Sequence, residues 1–200
     1  MSSSPPRPFG ANGIMPSLGN GALPLDGDAI KGLVEEVAKR LTPGPERHVV
    51  VIVGGALLAW SGLRNTTMDV DSVERLGLEL QTAIAEVAEK RGLEPDWLNA
   101  EAARFRPATL VVNDCEVLLE TDTLVVRGAP LPIIFAMKLL RSQQNDLADM
   151  TKILPLAGFT SAAEAVEYFY ESYPHALEDP ELPDLVRQLA SIGGLDLPLE

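Results

Sequence analysis

The sequence predicts an α+β fold in which a small mixed sheet is flanked by helices and followed by a helical C-terminal portion. Residues 49–53 form a continuous β-branched run, which is typical of a buried strand. Residues 68–73 alternate apolar and polar side chains, the pattern of a strand with one wet face. Most other segments carry apolar residues at helical spacing, so helices are expected to cover the sheet.

The first segment of the chain lacks the pattern of a helix or a strand. Residues 1–27 are rich in Ser, Pro, Gly and Asn, which predicts a flexible N-terminal arm, with a partner-binding tail as the alternative. Residues 28–41 place apolar side chains at helical spacing, and Thr42-Pro43-Gly44-Pro45 ends that helix. The folded part is therefore expected to start at residue 28.

A diglycine, Gly54-Gly55, follows the buried strand and predicts a turn, after which residues 56–61 form a short helix. In the alternating strand, Asp69 and Asp71 are expected to point to the same side. Residues 76–91 have a helical period, and a glycine at the next position is the expected stop.

The middle of the chain predicts a second pair of strands. Residues 93–107 show no regular pattern. Residues 108–112 and 116–126 predict strands around a turn at Asn113-Asp114, and the second strand is expected to break near Thr121-Asp122.

The last third of the chain is predicted to be helical. A single long helix is expected over residues 132–154, ended by Pro155 and Gly158, and shorter helices over 161–170 and 181–192. The predicted organisation is then an arm, one domain and a helical segment packed on that domain, at residues 1–27, 28–158 and 159–200.

Composition excludes several classes of function. The net charge is −13, from 29 acidic and 16 basic residues, which argues against coating nucleic acid through a broad basic surface. No apolar run approaches the length of about 20 residues that a membrane span needs, so no membrane association is expected. The N-terminus lacks the apolar core of a signal peptide, and Cys115 is the single cysteine. These features predict a cytoplasmic protein.

Two carboxylates on one face of a strand suit a divalent cation. Mg²⁺ prefers hard oxygen ligands and completes its shell with water and substrate phosphates, so Asp69 and Asp71 are candidate ligands for Mg²⁺ or Mn²⁺. Two solvated acids on an exposed face are the alternative. Gly54-Gly55 allows the backbone to approach a phosphate, and no Walker-type P-loop is present to do so.

The predicted long helix carries a second candidate group. Lys138 and Asp149 lie 11 positions apart, about three turns at roughly 3.6 residues per turn, so they share a face with Arg141. Lys138 is then directed toward an anionic ligand. The alternative is an ordinary amphipathic helix with these charges on its wet side. Glu116 and Glu120 are candidates for a third metal ligand or a general base.

These motifs, in their order along the chain, resemble one known superfamily. Gly54-Gly55 followed by Asp69-Val70-Asp71 resembles the motif of the DNA polymerase β-like nucleotidyltransferases. The fuller set, with Asp96-Trp97-Leu98-Asn99 and the segment from Lys138 to Asp149, is similar to the minimal nucleotidyltransferases that include AbiEii-type toxins of type IV toxin–antitoxin systems. The likeness covers about residues 30–158 and implies a nucleotidyltransferase-type sheet.

The resemblance implies a role for each motif. It implies Asp69 and Asp71 as metal ligands and catalytic residues, a triphosphate contact from Lys138, and Asp149 as a catalytic partner. The nucleotide-binding residues it implies are Gly54, Gly55, Arg64, Thr67, Lys138 and Arg141. The substrate would be a nucleoside triphosphate, with tRNA as a candidate acceptor and a cognate antitoxin as a candidate partner.

One departure keeps other functions open. Related helices often carry Arg five positions after the Lys, where this chain has Gln143. A non-catalytic nucleotide-sensing or protein-binding module on the same fold is therefore the alternative. A nucleotidyltransferase that modifies a protein or a small molecule is a third hypothesis, which suits the acidic composition better than tRNA does.

Overall fold

The computed structural model describes residues 23–200, and over this range it is an α+β structure. Seven α-helices surround one five-stranded mixed sheet in the described residues. The elements are α1 (Gly27–Ala38), β1 (His48–Val53), α2 (Gly54–Trp60), β2 (Val70–Ser72), α3 (Leu78–Arg91), β3 (Leu98–Asn99), β4 (Glu116–Glu120), β5 (Leu124–Gly128), α4 (Leu131–Arg141), α5 (Gln144–Ala157), α6 (Ala162–Ser172) and α7 (Leu182–Ile192).

The sheet has the order β3-β2-β1-β5-β4. Strand β1 lies at its centre, antiparallel to β2 and parallel to β5, while β2 is parallel to β3 and β4 is antiparallel to β5. The β-branched residues 50–53 of β1 are fully buried, as their composition predicts. The register pairs Val53 with Asp71, so the end of β1 lies beside the Asp71 position of β2.

The start of the folded domain differs from the prediction. Leu25 is buried and exchanges two backbone hydrogen bonds with Thr67, of 2.7 and 2.8 Å. The Asp26 carboxylate accepts a hydrogen bond from the Ala29 amide and caps α1. The domain therefore includes residues that the composition assigned to the arm, and residues 1–22 of the predicted arm lie outside the described residues.

The predicted helix over 132–154 is wrong as a single element. Its apolar pattern continues through two helices, α4 and α5, which pack against each other. Between them Ser142 adopts a left-handed conformation with φ 47°, and Gln143 with Asp146 forms a capping box at the start of α5. Side-chain capping of a new helix start therefore outweighs the continuous apolar period.

The predicted strand over 108–112 is absent from the structure. The segment instead leads into a 3₁₀ helix at Val112–Asp114. Its polar groups bond to the C-terminal part of α6, since the Ala108 amide donates to the Ser172 carbonyl over 2.9 Å. The other predicted strand does break near Thr121, and gives the hairpin of β4 and β5.

The C-terminal helices complete the core. Helix α6 packs on α4, α7 packs on α5, and α6 and α7 pack on each other. Ser161 caps α6 by accepting from the Glu164 amide. Within the described residues, no helix is both long and apolar enough to cross a membrane.

Candidate active site

A cleft of about 410 Å³ opens where the end of β1, the start of β2 and helix α4 meet. The residues that the resemblance implies as metal or nucleotide ligands all border it, although they come from three separate stretches of the chain. They are Gly54, Gly55, Arg64, Thr67, Asp69, Asp71, Lys138 and Arg141. Asp149 lies directly behind this lining, in contact with Lys138 and Arg64.

The acidic side of the cleft is formed by Asp69 and Asp71. Asp71 lies in β2 and is partly buried, while Asp69 precedes the strand and is exposed. Burial, and then the neighbouring charges of Asp69 and Glu101, raise the pKa of Asp71 to about 6, although Arg141 opposes this shift. Neither aspartate belongs to an ion pair within residues 23–200.

These two carboxylates fit a divalent cation. A desolvated acid beside a second acid is stabilised in its charged form by a nearby cation. No group of three or more metal-ligating side chains is assembled in the described part of the chain. Mg²⁺ is commonly held by one or two carboxylates, with substrate phosphates and water as its other ligands. Asp69 and Asp71 would therefore hold such an ion together with a bound triphosphate.

The two glycines make room for other side chains of the cleft. They form the first turn of α2, rather than a turn ahead of it, and Gly54 has φ 64°. A Cβ on Gly54 would lie 3.6 Å from the Asp71 carboxylate. A Cβ on Gly55 would lie 2.9 Å from the Thr67 hydroxyl oxygen and 3.1 Å from an Arg64 nitrogen. The diglycine thus lets the segment from Arg64 to Thr67 close against the helix.

Lys138 on the opposite side is only 3% exposed. Its ammonium donates to Asp146 over 3.0 Å and to Asp149 over 2.7 Å. The sequence predicts Lys138 and Asp149 on one helix face, three turns apart. The structure instead brings the two groups into direct contact, because the turn at Ser142 folds α5 back along α4.

Two arginines extend this buried charge network. Arg64 donates to Asp149 over 3.2 Å, and Arg141 makes two hydrogen bonds to Asp146, of 2.8 and 2.6 Å. Burial acts to raise the pKa of Asp146, but the hydrogen bonds from Arg141 and Lys138 outweigh it and lower the pKa to about 2. Three cations therefore share two carboxylates, so the network carries a net positive charge beside the cleft.

The segment over 93–107, which shows no regular pattern, contributes residues that the sequence did not identify. Its 3₁₀ helix at Glu101–Phe105 brings Glu101 and Phe105 to the cleft. The Asn99 side chain accepts from the Glu101 amide over 2.8 Å and fixes the start of that helix. Asn99 is also paired with Asp71 in the sheet register. The motif Asp96-Trp97-Leu98-Asn99 was therefore the sequence feature that could have pointed to this segment.

Three other acids were also predicted to take part in the site, and the structure places each of them outside the lining of the cleft. Glu120 pairs with Arg47, and Glu116 borders a separate depression, so neither reaches the cleft. Asp149 borders the network behind the cleft, where its Oδ2 accepts hydrogen bonds from both Lys138 and Arg64. Gln143 does border the cleft, where it caps α5.

Comparison with known proteins adds no assignment. No protein-family model matches this sequence, and no curated protein or solved structure is significantly similar to it.

Proposed function

We propose that this protein is a metal-dependent nucleotidyltransferase that moves a nucleoside monophosphate from a nucleoside triphosphate to an acceptor. One observation carries the proposal. The paired carboxylates of Asp69 and Asp71 share a single cleft with the positively charged network around Lys138. A triphosphate–cation complex needs this combination, because the cation requires acidic ligands and the phosphates require basic ones.

The proposed reaction follows from these groups. An acceptor hydroxyl oxygen bonds to the α-phosphorus, the bond from that phosphorus to the α–β bridging oxygen breaks, and pyrophosphate leaves. A bound Mg²⁺ or Mn²⁺ would supply stabilisation of the charge on the phosphate oxygens. Arg64 and Arg141 offer donors to the same oxygens. We assign the acceptor proton to Glu101, which borders the cleft and raises the pKa of Asp71 by its charge.

In this proposal Lys138 and Asp149 act less directly than the resemblance implies. Lys138 contributes positive charge to the side of the cleft opposite Asp69 and Asp71, while its own hydrogen bonds go to Asp146 and Asp149. Asp149 is a positioning residue, since it holds Arg64 and Lys138 together. The turnover then depends on Asp69 and Asp71 more than on Asp149.

A non-catalytic nucleotide sensor is the second candidate. Lys138 is 3% exposed and its ammonium is already held by two carboxylates. This favours a fixed binding site over a lysine that moves with the phosphate during transfer. Among acceptors, tRNA and a toxin-like role with a cognate antitoxin remain proposals, and the net charge of −13 favours a protein or small-molecule acceptor. A cytoplasmic location suits any of these roles.

The test is transfer of label from α-³²P-labelled nucleoside triphosphates in the presence of Mg²⁺. Total tRNA, a protein extract and a small-molecule extract serve as separate acceptors. We expect Asp69→Asn to abolish labelling and Asp122→Asn, an exposed acid in the turn between β4 and β5, to retain it. Nucleotide binding without transfer to any acceptor would favour the sensor. Absence of both binding and transfer would reject both candidates.

A further inference from the structure

We infer that an apolar wall at the mouth of the cleft, formed by Met68, Phe105, Met137 and Leu140, binds the base of the nucleotide. This inference rests on the proposed function, because the base belongs to the same nucleoside triphosphate whose phosphates the charged residues would bind.

Exposure singles out this wall. Met68 and Phe105 are each 53% exposed and Leu140 is 38% exposed, and all three border the same cleft. Large apolar side chains left in contact with water and gathered around a concave surface mark a binding site for an apolar or aromatic group. A nucleobase supplies such a group, and an aromatic ring such as Phe105 stacks on any base.

The apolar wall and the charged residues line the same cleft, so one ligand can reach both. On α4, Met137 is next to Lys138 and Leu140 is next to Arg141. A base on the apolar residues therefore leaves its phosphates near the cations of the same helix. The cleft volume of about 410 Å³ also falls within the range of small-ligand sites, about 300–1,000 Å³.

Phe105 is fixed in place by the C-terminal helical layer. The Tyr173 hydroxyl donates to the Phe105 carbonyl over 2.9 Å, and burial raises the pKa of Tyr173, so it stays a donor at neutral pH. Ser172 holds the following residues, through its carbonyl to Ala108 and its hydroxyl to Thr109 over 2.7 Å. Tyr173 is thus a positioning residue for the wall.

The experiment separates the base from the phosphates by using two kinds of probe. Isothermal calorimetry with Mg²⁺ measures the affinity for α,β-methylene analogues of ATP, GTP, CTP and UTP, and for inorganic tripolyphosphate, which lacks a base. We expect Phe105→Ala to weaken binding of the preferred analogue about tenfold and to leave tripolyphosphate binding within about twofold. Phe105→Leu should recover only part of the loss, because it restores apolar area without a ring.

Two further variants sharpen the test. Tyr173→Phe keeps the ring and removes the hydroxyl, so it should weaken the analogue about threefold and spare tripolyphosphate. Ile192→Ala removes a 67% exposed apolar side chain at the end of α7 and should change neither affinity. Tripolyphosphate binding by each variant also shows that the cleft is folded.

The outcomes distinguish the two proposals. Equal losses for both probes in Phe105→Ala, or no loss for either, would overturn the apolar wall and leave the proposed function standing. The apolar wall would also be overturned if the wild-type protein bound tripolyphosphate as tightly as every nucleotide analogue. Failure of the wild type to bind any probe would overturn both.

Discussion

The Lys138 ammonium donates a hydrogen bond to the Asp149 carboxylate over 2.7 Å, across the turn that joins α4 to α5. The same Asp149 oxygen also accepts from Arg64, which belongs to the segment between α2 and β2. One carboxylate thus ties two helices and a loop around the cleft. The positions of Lys138 and Arg64 beside the cleft depend on this carboxylate, so its removal should destabilise the fold more directly than it changes the chemistry of the site.

Replacement of Asp149 should therefore destabilise the protein. Asp149→Ala leaves the Lys138 ammonium buried with one acidic partner, and breaking a buried pair in this way typically costs about 3–5 kcal/mol. Chemical denaturation at pH 7 measures the free energy of unfolding. The matched control is Asp184→Ala, which breaks the exposed pair with Arg187 and should cost less than about 1 kcal/mol. Similar losses in both variants would contradict the role given to Asp149.

Replacement of Asp71 should have the opposite effect on stability. Its pKa is about 6 in the folded protein against 3.8 in the unfolded chain, so the folded state binds more protons between these values. Stability from this group is highest below about pH 4 and falls as the pH rises through 6. About two pKa units, reduced by solvent screening because Asp71 is partly exposed, amount to about 1–2 kcal/mol.

The measurement is the unfolding free energy of wild type and Asp71→Asn at pH 4 and pH 8, with no divalent cation added. We expect the variant to be more stable than wild type by about 1–2 kcal/mol at pH 8 and nearly equal to it at pH 4. Glu94→Asn, at an exposed acid outside the cleft, should show no such pH-dependent gain. A variant that is less stable than wild type at pH 8 would contradict the desolvation of Asp71.

The same substitution, glycine to alanine, should have opposite effects on stability at Gly55 in the diglycine and at Gly32 in α1. Gly55→Ala places a methyl group 2.9 Å from the Thr67 hydroxyl and 3.1 Å from Arg64, which should cost about 1–3 kcal/mol and displace the segment that lines the cleft. Gly32→Ala, within α1 with nothing inside 4 Å, should stabilise the protein by about 0.5–1 kcal/mol. Thermal unfolding compares the two. A gain in both would show that the cleft is open at Gly55.

Ligand-induced stabilisation tests the cation and the triphosphate together. At a nucleotide concentration of about 100 times the dissociation constant, binding adds about 2.7 kcal/mol, or roughly 5–10 °C in Tm for a chain of this size. We expect this rise with Mg²⁺ and nucleotide in the wild type and in Asp122→Asn. We expect it to be lost in Asp69→Asn or when EDTA is present. A rise that survives EDTA would exclude the proposed role of the cation.

Some elements of the fold could be predicted from the sequence and others could not. The β-branched run of β1 and the strand position of Asp71 were predictable because burial and alternation are local patterns, whereas the strand is shorter than predicted and Asp69 precedes it. The break at Ser142 was not, because the apolar period continues across it and only the capping by Gln143 and Asp146 marks the new helix. An apolar period at helical spacing does not reveal a turn between two helices when the apolar spacing continues from one helix into the next.

The same limit applies to the site. Gly54, Gly55, Lys138 and Arg141 belong to motifs that the sequence singled out, and the structure gathers them in one cleft. Phe105 and its hydrogen bond to Tyr173 could not be predicted, because the two residues are 68 positions apart and the segment that holds Phe105 shows no regular pattern. Contacts between distant irregular segments leave no periodic trace in a sequence.

The reversal at Ser142 also sets the mutational tolerance of the hairpin. An inserted residue that extends α4 after Arg141 would turn the start of α5 by about 100° around the α4 axis and carry Asp149 away from Lys138. Beyond Tyr173, residues 174–181 of the loop between α6 and α7 form no ion pair, so changes in length there should leave the cleft intact. Evolutionary gain or loss of residues should accordingly be rare at the first site and common at the second.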